Sequence, residues 1–240
     1  MKHTKSIVAI CLLFSFASYG QSSLSISIPA IWSNVKVKDN FTPPTAVGGY
    51  KEYLEGSAFG YGVNLNYSFQ PGFIIKDKRF SVNVGVGYFK QRFDIRRPFD
   101  YNSPFEPLFH TDYYSYDCWQ ASIGLSYTYA FNNKYFLLAN LSYNTLQSFR
   151  QEYKPLTGNA SMFPKQENHH QTDFGKSLPL SVGLNRYFGK HFSLGIYIVA
   201  PVYTRWRNDK IFKDDPAEFS HPKFSLGTSV NIAYHFGEKR

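Results

Sequence analysis

Two residues that could activate a nucleophile, His110 and Asp112, stand two positions apart in the chain. A histidine paired with a carboxylate is the arrangement that activates a serine for attack on an ester or an amide. Both residues lie among Pro104, Pro107 and a run of aromatic side chains, and the sequence contains no His-x-Ser-Asn pattern. We therefore predict that this pair is not catalytic.

A second group could bind a metal ion, and its members are Glu167, His169, His170 and Asp173. Imidazole and carboxylate groups are the usual ligands of zinc-class ions, but the spacing here follows no regular ligand pattern. A solvated polar loop has the same composition. We predict no metal site.

Arginines form a third group, at positions Arg92, Arg96, Arg97, Arg150, Arg205 and Arg207. A planar guanidinium can donate two parallel hydrogen bonds to a phosphate, so such a set suits a phosphate-bearing ligand. The alternative is that these side chains reach water and pair with neighbouring carboxylates such as Asp94, Asp100 or Asp209. The choice depends on the elements that carry them.

Residues 1–20 have the composition of a secretory signal peptide. Two lysines, an apolar stretch over residues 6–17 and the small-x-small sequence Ser18-Tyr19-Gly20 follow one another. We predict cleavage after Gly20, which leaves residues 21–240 as one domain. Cleavage removes one of the two cysteines, so the mature chain keeps Cys118 alone and forms no internal disulfide.

The composition is unusual for a soluble domain. The 240 residues include 19 Tyr and 23 Phe, only 18% are charged, and the formal net charge is +9. After the first twenty residues, no apolar run approaches the roughly 18 residues of a membrane-spanning helix. A basic chain can bind nucleic acid, but an exported one meets anionic lipid headgroups instead. We predict no nucleic-acid partner.

Apolar residues alternate with small or polar residues through most of the chain, which is the period-two pattern of a β-strand. In the segment 224–236, large residues such as Phe, Leu, Val and Ile occupy one face, and Ser, Gly, Asn, Ala and His the other. The pattern predicts eight strands, at residues 22–33, 59–69, 80–88, 116–131, 135–149, 176–188, 192–206 and 224–236. The smaller face includes Gly60, Gly62, Gly85 and Gly87. These are therefore strand glycines and not a phosphate-binding loop.

The composition of the second face distinguishes a soluble sheet from a membrane sheet. A soluble sandwich would expose Lys, Glu and Gln there, whereas this chain has Gly, Ser and Asn. Small uncharged residues fit the interior of a narrow barrel of about eight strands, whose apolar face then meets lipid. We predict an all-β fold, a closed antiparallel up-and-down transmembrane β-barrel.

The connections and the alternation make this prediction more specific. Short turns near residues 70–79, 132–134 and 189–190 alternate with long connections near residues 34–56, 94–115, 150–175 and 207–222, as in outer-membrane barrels. Both termini then lie in the periplasm. Residues predicted to face lipid include Leu194, Ile196, Val230 and Ile232. Residues predicted to face the interior include Cys118, Ser193, Gly195, Ser229, Asn231 and His235.

In these features the chain resembles small outer-membrane barrels of the OmpA and OmpX type, and more loosely the PorT-like barrels of Bacteroidetes-type bacteria. Its last strand ends in Ile232-x-Tyr234-x-Phe236, which is similar to the signal that barrel-assembly machinery recognises. The resemblance implies an outer-membrane location and a contact with that machinery during biogenesis. Two features differ, because residues 237–240 follow the terminal Phe and the inferred interior lacks a charged network.

The expected function is non-enzymatic. Four long connections on the cell surface would have a structural or surface-binding role, including contact with a protein partner. Two alternatives stay open: an accessory barrel of a secretion or transport assembly and, ranked lower, a lipid-modifying outer-membrane enzyme. Besides membrane lipid, lipopolysaccharide is a predicted partner, through phosphate contacts of Arg92, Arg96, Arg97, Arg205 and Arg207. No cofactor is expected, and side chains are predicted to fill the interior.

Overall fold

The computed structural model describes residues 22–39, 53–71, 77–98, 109–155, 166–169, 172–206, 217–219 and 224–236. Its strands are β1 (Ser22–Asp39), β2 (Tyr53–Phe69), β3 (Phe80–Pro98), β4 (Phe109–Ala130), β5 (Tyr135–Pro155), β6 (Gln166–Asn168), β7 (Thr172–Phe188), β8 (Phe192–Trp206), β9 (Ala217–Phe219) and β10 (Phe224–Phe236). Within these residues, no helix has the length and apolar character needed to cross a membrane. The predicted signal peptide lies outside the described residues and stays a prediction.

Eight of the strands close into one antiparallel barrel. Their hydrogen-bonded order is β10-β8-β7-β5-β4-β3-β2-β1, and β1 pairs again with β10, from Ser22 opposite Phe236 to Asn34 opposite Phe224. The short strand β6 pairs with β5, and β9 pairs with β1. Closure pairs both edges of the sheet, and it confirms the predicted fold class.

The short turns lie at one end of the barrel, which we call the turn end. In the turn between β4 and β5, Asn132 Oδ1 accepts hydrogen bonds from the backbone N–H groups of Lys134 and Tyr135, at 2.8 and 2.9 Å. Between β7 and β8, Gly189 has a φ of 68°, which glycine adopts without a steric penalty. The predicted short connections are confirmed, since β2 joins β3, β4 joins β5 and β7 joins β8 at this end.

Most strands are longer than predicted at the opposite end, which we call the outer end. β1 to β5 and β7 continue into the segments predicted as long connections, and β6 and β9 form within two of them. β3 and β4 stay paired as far as Pro98 opposite Phe109. The prediction of irregular connections is therefore wrong for these parts, because backbone pairing continues beyond the alternation that marks the lipid-facing wall.

The side-chain pattern reverses along these long strands. In the half nearer the turn end, large apolar residues face outward, and Val86, Ile123 and Ile196 are 62%, 56% and 66% exposed. Nearer the outer end they face inward, since Phe93 and Ile95 are 0% exposed. The molecule is thus a barrel with an apolar wall at one end and a barrel with an apolar core at the other.

Candidate functional site: the plugged lumen and the outer rim

An apolar cluster near the outer end fills the barrel, and we call it the plug. Its buried members are Val35, Ala58, Phe89, Phe93, Ile95, Tyr114, Tyr116, Cys118, Leu146, Phe174 and Trp206. β3 and β8 lie four strands apart in either direction round the ring, yet Phe93 and Trp206 meet edge to face with ring centroids 4.9 Å apart. Phe174 stacks on Tyr116 at 4.3 Å. Side chains from opposite walls therefore close the lumen at this level.

Between the plug and the turn end, the interior contains a polar cavity of about 190 Å³. Its walls consist mainly of serine and asparagine side chains, and Asn83 Nδ2 donates a hydrogen bond to Asn140 Oδ1 at 2.9 Å. Among the described residues that line it, none is Asp, Glu, Lys or Arg. A polar cavity of this size has room for several water molecules.

Interior asparagines lie against glycines of the neighbouring strand. The Asn66 amide covers Gly85 and the Asn64 amide covers Gly87, so closely that a Cβ on either glycine would clash with it. The small residue on one strand therefore makes room for the amide on the next. The prediction of interior strand glycines is confirmed at Gly60, Gly62, Gly85 and Gly87.

A serine and a histidine meet in the lumen near the turn end, where Ser193 Oγ lies 2.8 Å from His235 Nε2. The His235 ring also contacts Phe136 and Tyr187, at centroid distances of 6.3 and 5.1 Å. Within the described part of the chain, these contacts include no carboxylate that could orient the imidazole as in a catalytic triad. His235 faces the interior with a partner, as predicted, and Cys118 is buried, also as predicted.

The outer wall between the turn end and the plug carries an apolar band. On β8, the outward residues Leu194, Ile196 and Ile198 are 40%, 66% and 62% exposed, while Ser193 between them is 2% exposed. A closed barrel that turns its aliphatic side chains outward and its hydroxyl and amide groups inward has the polarity of a lipid-spanning wall. The chain is an outer-membrane-type β-barrel. The predicted register of this barrel is confirmed on β8 and β10, because Val230 and Ile232 are also exposed and Ser229 is buried.

No protein-family model and no curated protein matches this barrel. Among solved structures, it is similar to the attachment invasion locus protein Ail of Yersinia pestis, with 16% identity and a TM-score of 0.36 over 90% of this chain and 99% of that chain. It is also similar to outer membrane protein OprG of Pseudomonas aeruginosa, with 9% identity and a TM-score of 0.48 over 90% and 96%. The outer membrane protease OmpT of Escherichia coli gives 9% and 0.43 over 91% and 97%. At these values the likenesses decide nothing about function.

A network of charged side chains surrounds Asp117 on the outer wall of the barrel. Tyr116 and Cys118 belong to the plug, so the residue between them faces outward, yet Asp117 is only 7% exposed. The Tyr88 hydroxyl donates a hydrogen bond to Asp117 Oδ1 at 2.6 Å, and Lys90 Nζ lies 3.3 Å from the same atom. Sequence analysis missed this carboxylate because no motif marks it.

A bulge in β5 brings an arginine to the same place. Asp117 pairs with Arg150 and Cys118 with Ser148, so Phe149 is an extra residue without a partner in β4. Beyond this bulge, the side chains of β5 alternate between the inner and outer faces in the opposite order. Arg150 Nη1 then lies 3.9 Å from Asp117 Oδ2, and its Nε donates to Glu167 Oε1 at 2.6 Å. The carboxylate of Glu167 stabilises the cation and raises the pKa of Arg150 above its ordinary value.

Arg92 and Arg205, two of the five arginines predicted to contact lipopolysaccharide, lie on opposite sides of the barrel. Arg92 Nε donates to Asp94 Oδ1 at 3.2 Å, and its guanidinium lies 4.7 Å from the Tyr113 ring centroid. Arg205 is exposed on β8, on the opposite side of the barrel from β3. The side chains of Arg96 and Arg97, and all of Arg207, lie outside the described residues. Arg92 and Arg205, the two members whose side chains are described, therefore cannot contact one phosphate together.

The remaining candidate residues form no metal-binding group in the part of the chain that the structure describes. Asp112 belongs to β4, is 1% exposed and accepts a hydrogen bond from the Tyr153 hydroxyl at 3.1 Å. His110 pairs through its backbone with Arg97, and its side chain lies outside the description. Both residues were predicted to lie in a loop, which is wrong because the β3–β4 pairing continues past them. In the second candidate group, the one considered for metal binding, Glu167 Oε1 lies 3.3 Å from His169 Nε2.

At the turn end, a charged pair lies directly before β3. Arg79 donates to Asp77 Oδ2 from Nη2 at 2.7 Å, and its guanidinium lies 5.4 Å from the centroid of the Tyr127 ring. The hydrogen bonds from Arg79 hold the pKa of the Asp77 carboxyl below its usual value. Both side chains are open to solvent, so this pair contributes little to stability.

Proposed function

We propose that this chain is a non-enzymatic β-barrel of the bacterial outer membrane whose outer end has a structural or surface-binding role. The observation that carries the proposal is the plug. Because Phe93 and Trp206 meet across the lumen, the barrel has no open passage for solutes at that level. A closed barrel of this kind interacts with other molecules through its outer surface.

The chemistry of the interior supports a non-enzymatic role. The Ser193–His235 pair has no carboxylate partner within the described residues, and the lumen lining there contains no Lys, Arg, Asp or Glu. The buried carboxylate of Asp112 accepts a hydrogen bond from Tyr153, which makes it part of the wall. In the described part of the chain, no feature favours the lipid-modifying enzyme or the secretion accessory over this function.

The long strands support a binding role at the outer end. β3, β4 and β5 stay paired as far as Pro98, Phe109 and Pro155. The plug residues of β3 and β4 reach Ile95 and Tyr114 on their inner face. A packed sheet places the segments that connect its strands more precisely than an isolated loop could. The occupant that we propose for this surface is a protein partner or the lipopolysaccharide layer.

We expect the outer end to be accessible on intact cells. Lys154, near the end of β5, and Lys134, in the turn between β4 and β5, are both exposed. Single substitutions Lys154→Cys and Lys134→Cys are treated with a membrane-impermeant maleimide, and Cys118 does not interfere because it is 0% exposed. Lys154→Cys should react on intact cells, and Lys134→Cys only after the outer membrane is opened. The reverse pattern would show that the outer end faces the periplasm.

The rim arginines should bind lipopolysaccharide phosphates in two independent groups. Replacing Arg92, Arg96 and Arg97 by Gln, or Arg205 and Arg207 by Gln, removes planar phosphate donors from one side of the barrel. Each variant should lose part of the copurified lipopolysaccharide, and the combined variant should lose the sum. The difference from the parent protein should be largest at low salt, because salt screens exposed ion pairs. Phosphate assay and mass spectrometry of the purified barrel measure the loss. If the combined variant copurifies as much lipopolysaccharide as the parent protein, these arginines are solvated rim residues without a role in binding it.

A further inference from the structure

A shallow groove runs along the lipid-facing wall over β3, β4 and β5. It is lined by Val86, Tyr88, Trp119, Ala121, Thr145 and Gln147. Trp119 is 55% exposed and stacks on Phe149 with ring centroids 5.1 Å apart, so one side of the groove is an aromatic wall. The small side chain of Ala121 lies at the bottom of the groove and leaves it open. The groove is mainly apolar and lies on the lipid-facing wall, so a hydrocarbon chain of the bilayer can lie along it.

The charged network around Asp117 closes the outer end of this groove. Tyr88 belongs to both, because its ring lines the groove and its hydroxyl donates to Asp117. Lys90 Nζ lies 3.3 Å from Asp117, and Arg150 Nη1 lies 3.9 Å from it. Apolar groove and cationic groups therefore follow one another along the membrane normal, in the order of the acyl chain and the headgroup of a lipid.

The two cations have hydrogen-bond donors to spare. A lysine ammonium has three donors and a guanidinium has five. Arg150 uses Nε for Glu167, and its 3.9 Å approach to Asp117 is too long for a hydrogen bond. Both side chains are partly exposed on the outer wall, Lys90 at 25% and Arg150 at 41%. A phosphate at the membrane surface can accept from both while Asp117 holds them together.

We propose that this groove is a binding site for one phosphate-bearing lipid of the outer leaflet, with an acyl chain along Trp119 and Ala121 and the phosphate on Lys90 and Arg150. The proposal rests on the membrane placement of the proposed function, but not on the rim arginines. It also gives Asp117 a role, since a buried outward carboxylate on a membrane wall positions the two cations that would hold the headgroup.

Tryptophan fluorescence can test the site in the full mature chain. Trp32→Phe leaves Trp119 on the outer wall, while Trp206 stays in the plug as an unquenched background. The variant is reconstituted in phosphatidylcholine vesicles that contain increasing fractions of brominated phosphatidic acid. Quenching of Trp119 should show about a fivefold preference for the anionic lipid, the effect of roughly one cation at a membrane surface. In Lys90→Gln/Arg150→Gln the preference should vanish.

Matched variants distinguish lipid binding in this groove from a general attraction of anionic lipid to the barrel. Ala121→Leu should also abolish the preference by filling the groove, whereas Thr228→Leu, on the outward face of β10 four strands from β4, should keep it. In Trp119→Phe, the reporter becomes Trp32, which is 54% exposed on β1, and its quenching should follow the bulk lipid fraction. No preference at Trp119, or an equal one at Trp32, overturns the proposal. Neither result affects the surface-labelling test of the proposed function.

Discussion

Replacing Ile196 by arginine is expected to prevent stable folding of the barrel in a membrane. Ile196 lies between Leu194 and Ile198 in the outward apolar band of β8 and is 66% exposed. An arginine on the lipid face costs about 2 to 4 kcal/mol at the bilayer midplane, which is a large part of the stability of a typical domain. Heat-modifiable migration and urea-dependent refolding into vesicles measure the loss.

The control for this substitution is an arginine that also faces lipid but lies near the membrane surface. Phe224 lies at the outer end of β10, the neighbour of β8, and is 60% exposed. Because an interfacial arginine costs only about 0 to 1 kcal/mol, Phe224→Arg should fold nearly normally, and Ile196→Leu should behave as the parent. If Ile196→Arg refolds as well as Phe224→Arg, the assigned lipid face of β8 is wrong.

Removing the plug is expected to convert a silent barrel into a conducting one. The parent protein should show little stable conductance in planar bilayers, since Phe93 and Trp206 close the lumen. Phe93→Ser/Trp206→Ser removes both rings and joins the polar cavity to the outer side. Adding Phe136→Ser, which lines the same cavity near the turn end, should enlarge the openings. Single-channel recording from purified monomer measures the change.

These truncations also weaken the core, so folding needs its own measurement. Loss of a buried aromatic ring costs about 3 to 5 kcal/mol, and heat-modifiable migration identifies the folded fraction that is then recorded. The matched control is Trp32→Ser/Phe224→Ser, which removes two outward rings that are 54% and 60% exposed and should stay silent. Steady porin-sized openings of the parent protein would mean that the plug does not close the lumen.

The membrane-facing half of the fold could be predicted from the sequence. Alternation from Phe224 to Phe236 and from Phe192 to Trp206 predicts strands that end at the same residues in the structure. The signal is strong there because lipid on one side and a narrow lumen on the other impose opposite demands on successive residues. The short turns follow for the same reason, because the alternation stops at them.

The plug could have been found in the sequence, but it was not. In β3, Tyr88 faces outward and Phe89 faces inward, and from there Phe93 and Ile95 alternate with Arg92 and Asp94. Two consecutive aromatic residues mark the point where the apolar face changes sides. If the large apolar residues are expected on the same face throughout, the strand is predicted to end at that point. The segments beyond it therefore looked like connections, although their period of two continues.

The contacts in the candidate sites could not be predicted from the sequence, for a different reason. Neither the contact of Asp117 with Lys90 and Arg150 nor the contact between Ser193 and His235 has a sequence motif, because each joins residues on different strands. The bulge at Phe149, which changes the facing of Arg150, also depends on the pairing with β4. Such contacts are set by strand register, which alternation determines only to within two residues.

The amino-acid pattern alone established a closed eight-stranded membrane barrel, its lipid-facing residues and its small polar interior, because each of these depends on the environment of single residues. The closed lumen, the charged network on the outer wall and the separation of Arg92 from Arg205 required the folded barrel. Each depends on which strands are neighbours and which are opposite. Closure of the sheet sets those distances, since it brings Phe93 against Trp206 across the ring while it keeps the outward arginines of the same two strands apart.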